Sequence, residues 1–329
     1  MLKILLIPGD GVGPSLVEAA ESVLSVATGD VEVVHGDLGF DAYERTGEYI
    51  PEDTLDLIRE CGNVVCGPVN AYKDESGKLV NILDSLKVGL DLYATVRVFR
   101  TLADGFGVPG LSATLWASNT VLGQDVSETR DMDGITISKY IRSSSYSRMM
   151  ARALTDVELS GRRRVCCITR DDLFPDSSEL FVEAFDSLFD PGVYQTDHMN
   201  IQRWASRVVR DPSAHDYLIC ADLYSHVAAG IMAGLTGGNH LSPVGYAGDS
   251  TVMLVPGLPQ TYAGIRKDAV NPTSAMMSCA MLLFNQGLSE EAESIVTALS
   301  STYAAGELTS EFGGSLTTSE FTDRVVSRI

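Results

Sequence analysis

Short apolar runs rich in β-branched residues alternate with longer stretches of helical periodicity from the first residues onward, and this restricts the chain to few folds. Residues 3–7 read as a strand before a helical stretch at 15–26, residues 31–34 as a strand before a helix at 52–60, and 63–66 as a further strand. Strands that alternate with helices predict an α/β fold whose central sheet is largely parallel and flanked by helices. With 329 residues there is room for one large or two medium domains.

The formal charge of −20 at pH 7 excludes nucleic acid as a partner, since phosphate binding needs clustered basic residues and the one cluster is Arg162-Arg163-Arg164. That triplet precedes a predicted strand and reads as a solvated loop. The six cysteines show neither metal-ligand nor disulfide spacing: Cys166 and Cys167 are neighbours in an apolar run, and Cys220 and Cys279 lie in others. Reduced, buried thiols are expected, and with them a reducing, cytoplasmic compartment. Residues 1–8 form a first strand closed by a Pro-Gly turn rather than a signal segment. No apolar run approaches the roughly 20 residues of a membrane span.

Chemistry is expected where strands give way to helices. Residues 217–220 should be a buried strand and 225–235 the helix after it, so Asp222, His226 and Gly230 fall at a strand's carboxyl end, where α/β folds collect ligands. His226 and Gly230 are four apart and share a helix face. The loop Pro8-Gly-Asp-Gly-Val-Gly-Pro14 lacks the Gly-x-Gly-x-x-Gly spacing, and Asp10 would repel a pyrophosphate, so it reads as a tight turn. Residues 90–100 alternate as a strand that delivers Arg97 to its end, and a planar guanidinium suits a carboxylate. Further strands are predicted at 113–120, 131–142 and 163–169, with helices at 145–153, 201–212, 289–304 and 319–329. Tyr140, on the second of these strands, reads as packing. Asn271-Pro-Thr273 heads an apolar helix running to 283 and is capping chemistry or a ligand contact.

Several of these segments resemble one family. Asp222-Leu-Tyr-Ser-His-Val-Ala-Ala-Gly230 is similar to the Asn-Leu-Tyr-Gly-Asp-Ile-Leu-Ser-Asp segment of the β-decarboxylating dehydrogenases, the group of isopropylmalate, isocitrate and homoisocitrate dehydrogenases. The Pro8-Gly-Asp-Gly turn, the Arg97 strand, Asn119-Thr120, the segment from Arg170 to Phe181, the 255–264 loop and Asn271-Pro-Thr273 match the same family, so the likeness spans the chain. It implies a two-domain fold with residues 1–97 plus 245–329 on the nucleotide side, and residues 98–244 in a second domain that makes a dimer. It implies further that Arg97 grips a substrate carboxylate, with Arg100 a weaker candidate. Gly257, Thr261 and Asn271 would lie on the NAD or NADP side.

The likeness fails at polar positions. His226 and Gly230 replace two metal-holding aspartates, and Gln202 replaces a third that the family donates across its dimer interface. Ala117, Val121 and Gln124 fall where a second arginine, a glutamate and a tyrosine belong. Pro256 and Thr261 replace a histidine and the ribose-binding aspartate. Arg170 stands in place of the proton-shuttling lysine. It stays protonated to about pH 12, so it orients an anion but cannot act as a base. An amide, an imidazole and a glycine do not make the oxygen-rich cage of Mg²⁺ or Mn²⁺, and neither metal is expected. His226 is expected to be packed or hydrogen-bonded.

The expected protein is therefore a catalytically silent or repurposed relative. It would be a regulatory or structural partner of an active paralogue, as homodimer or heteromer, or a binder of a small anion through Arg97, Arg100 and Arg170. The alternative is an NAD(P)-dependent oxidoreductase of a 2-hydroxy acid in which His226 is the base of a metal-independent site.

Overall fold

A computed structural model describes residues 1–74, 76–119, 125–257 and 268–329, and of Asp222 and Leu223 the backbone alone. In chain order the first elements are β1 Leu2–Ile7, α1 Gly13–Ala27, β2 Val31–His35, α2 Phe40–Thr46, α3 Glu52–Cys61 and β3 Asn63–Cys66. A small β4 Tyr72–Lys73 and β5 Leu79–Val80 pair leads to α4 Ile82–Gly89, β6 Ala94–Arg100 and β7 Ser112–Ser118. Then come β8 Val126–Arg130, β9 Ile135–Lys139, α5 Ser143–Ser160, β10 Arg164–Thr169, α6 Pro175–Asp186, β11 Gln195–Asn200 and α7 Ile201–Arg210. The chain continues through β12 Tyr217–Cys220, α8 Asp222–Leu235, β13 Val244–Ala247, β14 Val252–Val255, α9 Thr273–Asn285, α10 Ser289–Ala304 and α11 Thr318–Val326.

Among the described residues ten strands form one sheet in the order β11-β10-β12-β7-β6-β13-β14-β3-β1-β2. Strands β7, β12, β10 and β11 are parallel neighbours, as are β14, β3, β1 and β2. Antiparallel pairing of β6 with β7 and β13, and of β13 with β14, joins the two parallel blocks. One block is built from residues 112–220 and the other from both ends of the chain. The inner parallel strands are mostly apolar because helices cover both faces, whereas the edge strands β2 and β11 carry polar residues. Helix α9 is buried on every side from Thr273 to Leu283, which is why its sequence carries no polar stripe.

The turn after β1 is closed by its own residues. A Cβ on Gly13 would lie 1.8 Å from the Pro8 carbonyl oxygen, and one on Gly67 would lie 1.9 Å from it, so only glycine fits at either position. Asp10 is buried and accepts from the backbone N–H of Phe40 at 2.6 Å and of Asn70 at 2.7 Å. Its carboxylate thus sits at the positive start of α2 and fixes two neighbouring loops, as a tight turn should.

Some expectations change. Residues 131–142 are not one strand: Asp131 opens the turn between β8 and β9, and its carboxylate accepts from the N–H groups of Asp133 and Gly134. Tyr140 is not packing; it is 65% exposed, beside the Arg142 guanidinium. Nor is the arginine triplet a free loop. Arg164 forms a two-pronged pair with Asp216, and Arg162 donates to Ser112. All six cysteines are free and buried, and burial pushes the Cys66 thiol up to about 12.

Asp10→Ala strands two backbone donors, and the loss of two charge-assisted hydrogen bonds should lower stability by about 2 to 3 kcal/mol. Urea unfolding checks this; a loss below about 0.5 kcal/mol would mean the turn is held by something else.

Candidate functional site

The register of the antiparallel seam places the site. Arg97 pairs with Leu115 of β7 and Val244 of β13, and Val244 in turn faces Val255, the last residue of β14. Two residues back, Thr95 faces Ala117 near the end of β7. The carboxyl ends of both parallel blocks therefore converge on the segment from Thr95 to Arg97, the kind of place where α/β sheets hold ligands. Sequence periodicity put Arg97 at its strand's end. The structure puts it in the middle, because the seam continues to Arg100.

Two lobes of a cleft meet at the Arg97 side chain. One, of about 470 Å³, is lined by Thr95, Lys87, Asn119, His226 and Tyr246; the other, of about 380 Å³, by Pro68, Asn239, His240, Pro256 and Gly257. The guanidinium donates from Nη2 to Asn239 Oδ1 at 3.1 Å, and its carbon lies 5.0 Å from the centre of the Phe99 ring. Its Nε is buried with no partner, and no carboxylate lies within 4 Å among the described residues. Burial alone pulls the group down to about 10, so at neutral pH it stays charged without a counter-ion. A buried, unpaired cation with donors to spare is what a carboxylate would satisfy.

The neighbours are already engaged or neutral. Lys87 donates to Asp84 at 2.9 Å and lies 4.4 Å above the Tyr246 ring, so its charge is met within its own helix. Asn119 donates to the carbonyls of Leu92 at 2.6 Å and Ala94 at 3.1 Å, and Thr95 bonds its Oδ1. These bonds tie the end of β7 to the start of β6 and hold Thr95 in place. Lys87, Asp84, Thr95 and Tyr246 escaped sequence reasoning. The i, i+3 spacing of Asp84 and Lys87 was a readable signal, whereas Tyr246 sits in a strand too short to show a period.

His226 is not packed, contrary to expectation. It is exposed on α8 at the cleft, with no hydrogen bond or ion pair to a described residue. Gly230, one turn on, offers no side chain and faces open space. The other two arginines do not join Arg97. Arg100 is three residues further along β6 and leaves the opposite face, where it makes a two-pronged pair with Glu293 at 2.7 and 2.9 Å. Arg170 follows β10, three strands away from β6, and donates to Asp172 at 3.0 Å. Asp172 also accepts from Asn200 at 2.6 Å, and that bond, then Arg170, holds its carboxyl below the usual range. Asn200 caps α7, on which Gln202 is exposed.

Of the residues expected at a dinucleotide, Gly257 lines the cleft, and a Cβ there would lie 2.1 Å from the Ser242 carbonyl oxygen. Asn271 is turned inward: its side chain is fully buried, donates to Tyr303 and Thr309 and accepts from the Thr273 N–H, so the capping reading describes it. Thr261, Val121 and Gln124 lie outside the described residues. Nor do the described donors fit a hard dication. The carboxylate lining the Arg97 cleft is Asp84, already paired with Lys87, and no group of three His, Cys, Asp or Glu gathers among the described residues.

Comparison with known proteins agrees with this architecture. The family model described as isocitrate/isopropylmalate dehydrogenase matches residues 3–110 and 118–325. The chain is 28% identical over 331 residues to an isocitrate/homoisocitrate dehydrogenase of Thermus thermophilus, covering 99% of this chain and 98% of that one. It is 26% identical to a regulatory subunit of the mitochondrial NAD isocitrate dehydrogenase of Dictyostelium discoideum, covering 99% and 92%. The crystal structure of an isocitrate dehydrogenase from Methylococcus capsulatus superposes with a TM-score of 0.86 at 23% identity, covering 100% of this chain and 99% of that one.

Replacing the unpaired guanidinium by an isosteric apolar chain removes a desolvated charge, so Arg97→Met should leave the empty protein as stable as before, or more stable by about 1 kcal/mol. A thermal melt in chloride buffer reads this; a marked drop would show that a counter-charge already sits there.

Proposed function

The chain belongs to the isocitrate/isopropylmalate dehydrogenase family, and we propose that within it this protein is a repurposed member that binds a small carboxylate anion at Arg97 and does not carry out metal-dependent oxidative decarboxylation. The observation that carries the reading is the Arg97 guanidinium, buried at Nε and without a counter-ion among the described residues, in a cleft whose described lining carboxylate is neutralised. The anion follows from the names of the relatives: a hydroxylated di- or tricarboxylate of the isocitrate or isopropylmalate type.

Arg97 would hold one carboxylate through its free donors, with Asn239 fixing the guanidinium plane. Decarboxylation needs the enolate stabilised by several kcal/mol, which a bound cation supplies and the neutral side chains here do not. Arg170 cannot relieve the deficit as a base, being permanently charged and engaged with Asp172. A role beside an active paralogue is consistent with likeness to a chain named as regulatory. The projecting β8–β9 hairpin, with Ile135 and Ile137 more than half exposed, suits a second copy of the same or a related chain. Six buried free thiols suit a reducing compartment such as the cytoplasm.

One observation favours the second reading. His226 is exposed in the same lobe as Arg97, with no hydrogen bond or ion pair to a described residue, where it could take the hydroxyl proton of a 2-hydroxy acid while its hydride passes to NAD or NADP.

Calorimetry with isocitrate and isopropylmalate, in Mg²⁺ and in chelator, tests both. We expect saturable binding of one of them that Mg²⁺ does not change and that Arg97→Met weakens by about tenfold or more. Saturable Mg²⁺ binding linked to substrate, or no binding of either acid, refutes the first reading. NAD(P) reduction in chelator that His226→Gln abolishes would establish the second in its place.

A further inference from the structure

The face of β6 turned away from Arg97 carries a separate cavity of about 300 Å³, enclosed by β6, β7 and β12 on one side and by α5, α9 and α10 on the other. Its wall on α9 is apolar: Met277, Met281 and Phe284 recur at i, i+4 and i+7 and so lie on one face, opposite Val96 and Val98. Its other end is polar and carries charges of both signs.

One pair of those charges is spent on itself, since Arg100 and Glu293 close the rim with two hydrogen bonds. The remaining two, Asp156 and Arg162, lie near enough for Arg162, with Arg152, to favour the ionised carboxyl, but neither makes a direct ion pair among the described residues. Asp156 accepts from Trp116 Nε1 at 2.8 Å, but no cation lies within 4 Å of it among the described residues, and burial raises its carboxyl above the ordinary range. Arg162 donates to Ser112 Oγ at 3.0 Å and to its carbonyl at 3.3 Å, and meets no carboxylate within 4 Å among the described residues. A half-buried carboxylate and a guanidinium, neither hydrogen-bonded to an opposite charge among the described residues, line the same cavity beside an apolar wall. Partly desolvated charges of this kind are costly when empty and favourable when a ligand supplies both counter-charges.

We propose that this cavity is a second ligand site, independent of the Arg97 cleft, for a small zwitterion with an apolar body: an α-amino acid with an aliphatic, thioether or aromatic side chain. The ammonium group would pair with Asp156, the carboxylate with Arg162, and the side chain would lie against Met277, Met281 and Phe284. The volume stands at the lower end of the usual range for small-molecule sites, which suits a ligand of this size.

Trp116 lines the cavity and is one of two tryptophans; the other, Trp204, is fully buried in a separate core cluster. Tryptophan emission and calorimetry on the intact chain, titrated with L-leucine, L-methionine and L-phenylalanine, therefore test the proposal. At least one of these should bind saturably and shift the emission, and the shift should vanish in Trp116→Phe while the heat remains. N-acetyl-L-leucine, which lacks the ammonium, and isoamylamine, which lacks the carboxylate, should bind weaker than leucine by about tenfold or more. Asp156→Asn and Arg162→Gln should each weaken the amino acid to a similar extent, whereas Arg97→Met should not. The proposal is overturned if none of the three amino acids gives saturable heat, if either analogue binds as well as leucine, or if binding survives both cavity variants. Should Asp156→Asn fail to fold, the analogue series alone decides.

Discussion

The antiparallel pairing of Ala94–Arg100 on both of its edges is what the rest of the molecule depends on. Each block of four parallel strands could be covered by its own helices, but blocks built from different parts of the chain run in opposite senses, and only strands that hydrogen-bond antiparallel can join them. The seam makes one continuous sheet from segments more than a hundred residues apart. It also fixes Arg97 on a strand hydrogen-bonded along both edges rather than on a loop, which keeps a side chain well positioned. Alternation along that strand then gives the protein two separate concavities with one shared wall, with Thr95 and Arg97 facing one and Val96, Val98 and Arg100 the other.

Charge in these concavities is set locally. The chain carries a formal −20, yet the side chain at the centre of the main cleft is an unneutralised guanidinium. A surface charge a Debye length away is screened, whereas a desolvated neighbour within a few ångströms is not. Attraction of an anion therefore follows from Arg97 and from the Asp84–Lys87 pair cancelling beside it, whatever the net charge.

Most of the parallel sheet and the long helices were legible, because buried strands and helix faces impose periodicities that survive in sequence. Asn63–Cys66, Tyr217–Cys220 and Ser289–Ala304 fall where their patterns place them. Strands β8 and β11 were not legible: Val-Ser-Glu-Thr-Arg and Gln-Thr-Asp-His-Met-Asn are polar and lie at edges, and Met199 alone among their residues is buried, too little to enforce alternation. The site was half legible. Arg97 and His226 could be singled out, and the structure brings them to one lobe. That Arg100 leaves the opposite face follows from a period of two and could have been read; that Arg170 lies three strands away depends on strand order, which no local pattern encodes. His226 was expected to be packed because histidines near apolar helices usually are, but its neighbours Ala228 and Ala229 take the buried face and leave it outside.

Under the proposed reading, the substitutions at the family's metal-holding positions also account for why the arginine remains useful. By resemblance, the family site sums three carboxylates and a dication to a net charge of −1, and an incoming substrate anion must be held against that remainder by arginines. With Gln202, His226 and Gly230 at those positions, the same sum taken without a cation would be zero. Under the proposed reading, a cleft without the carboxylates and the metal is about one charge more favourable to an anion, although it lacks a Lewis acid. Removing the carboxylates one at a time would have left a weakened cation site at each step, whereas complete replacement gives a neutral floor beneath Arg97. In the proposed reading, binding and decarboxylation thus come apart on electrostatic grounds: the first needs an arginine such as Arg97, which has no counter-ion among the described residues, and the second needs a hard cation, which the described donors do not fit.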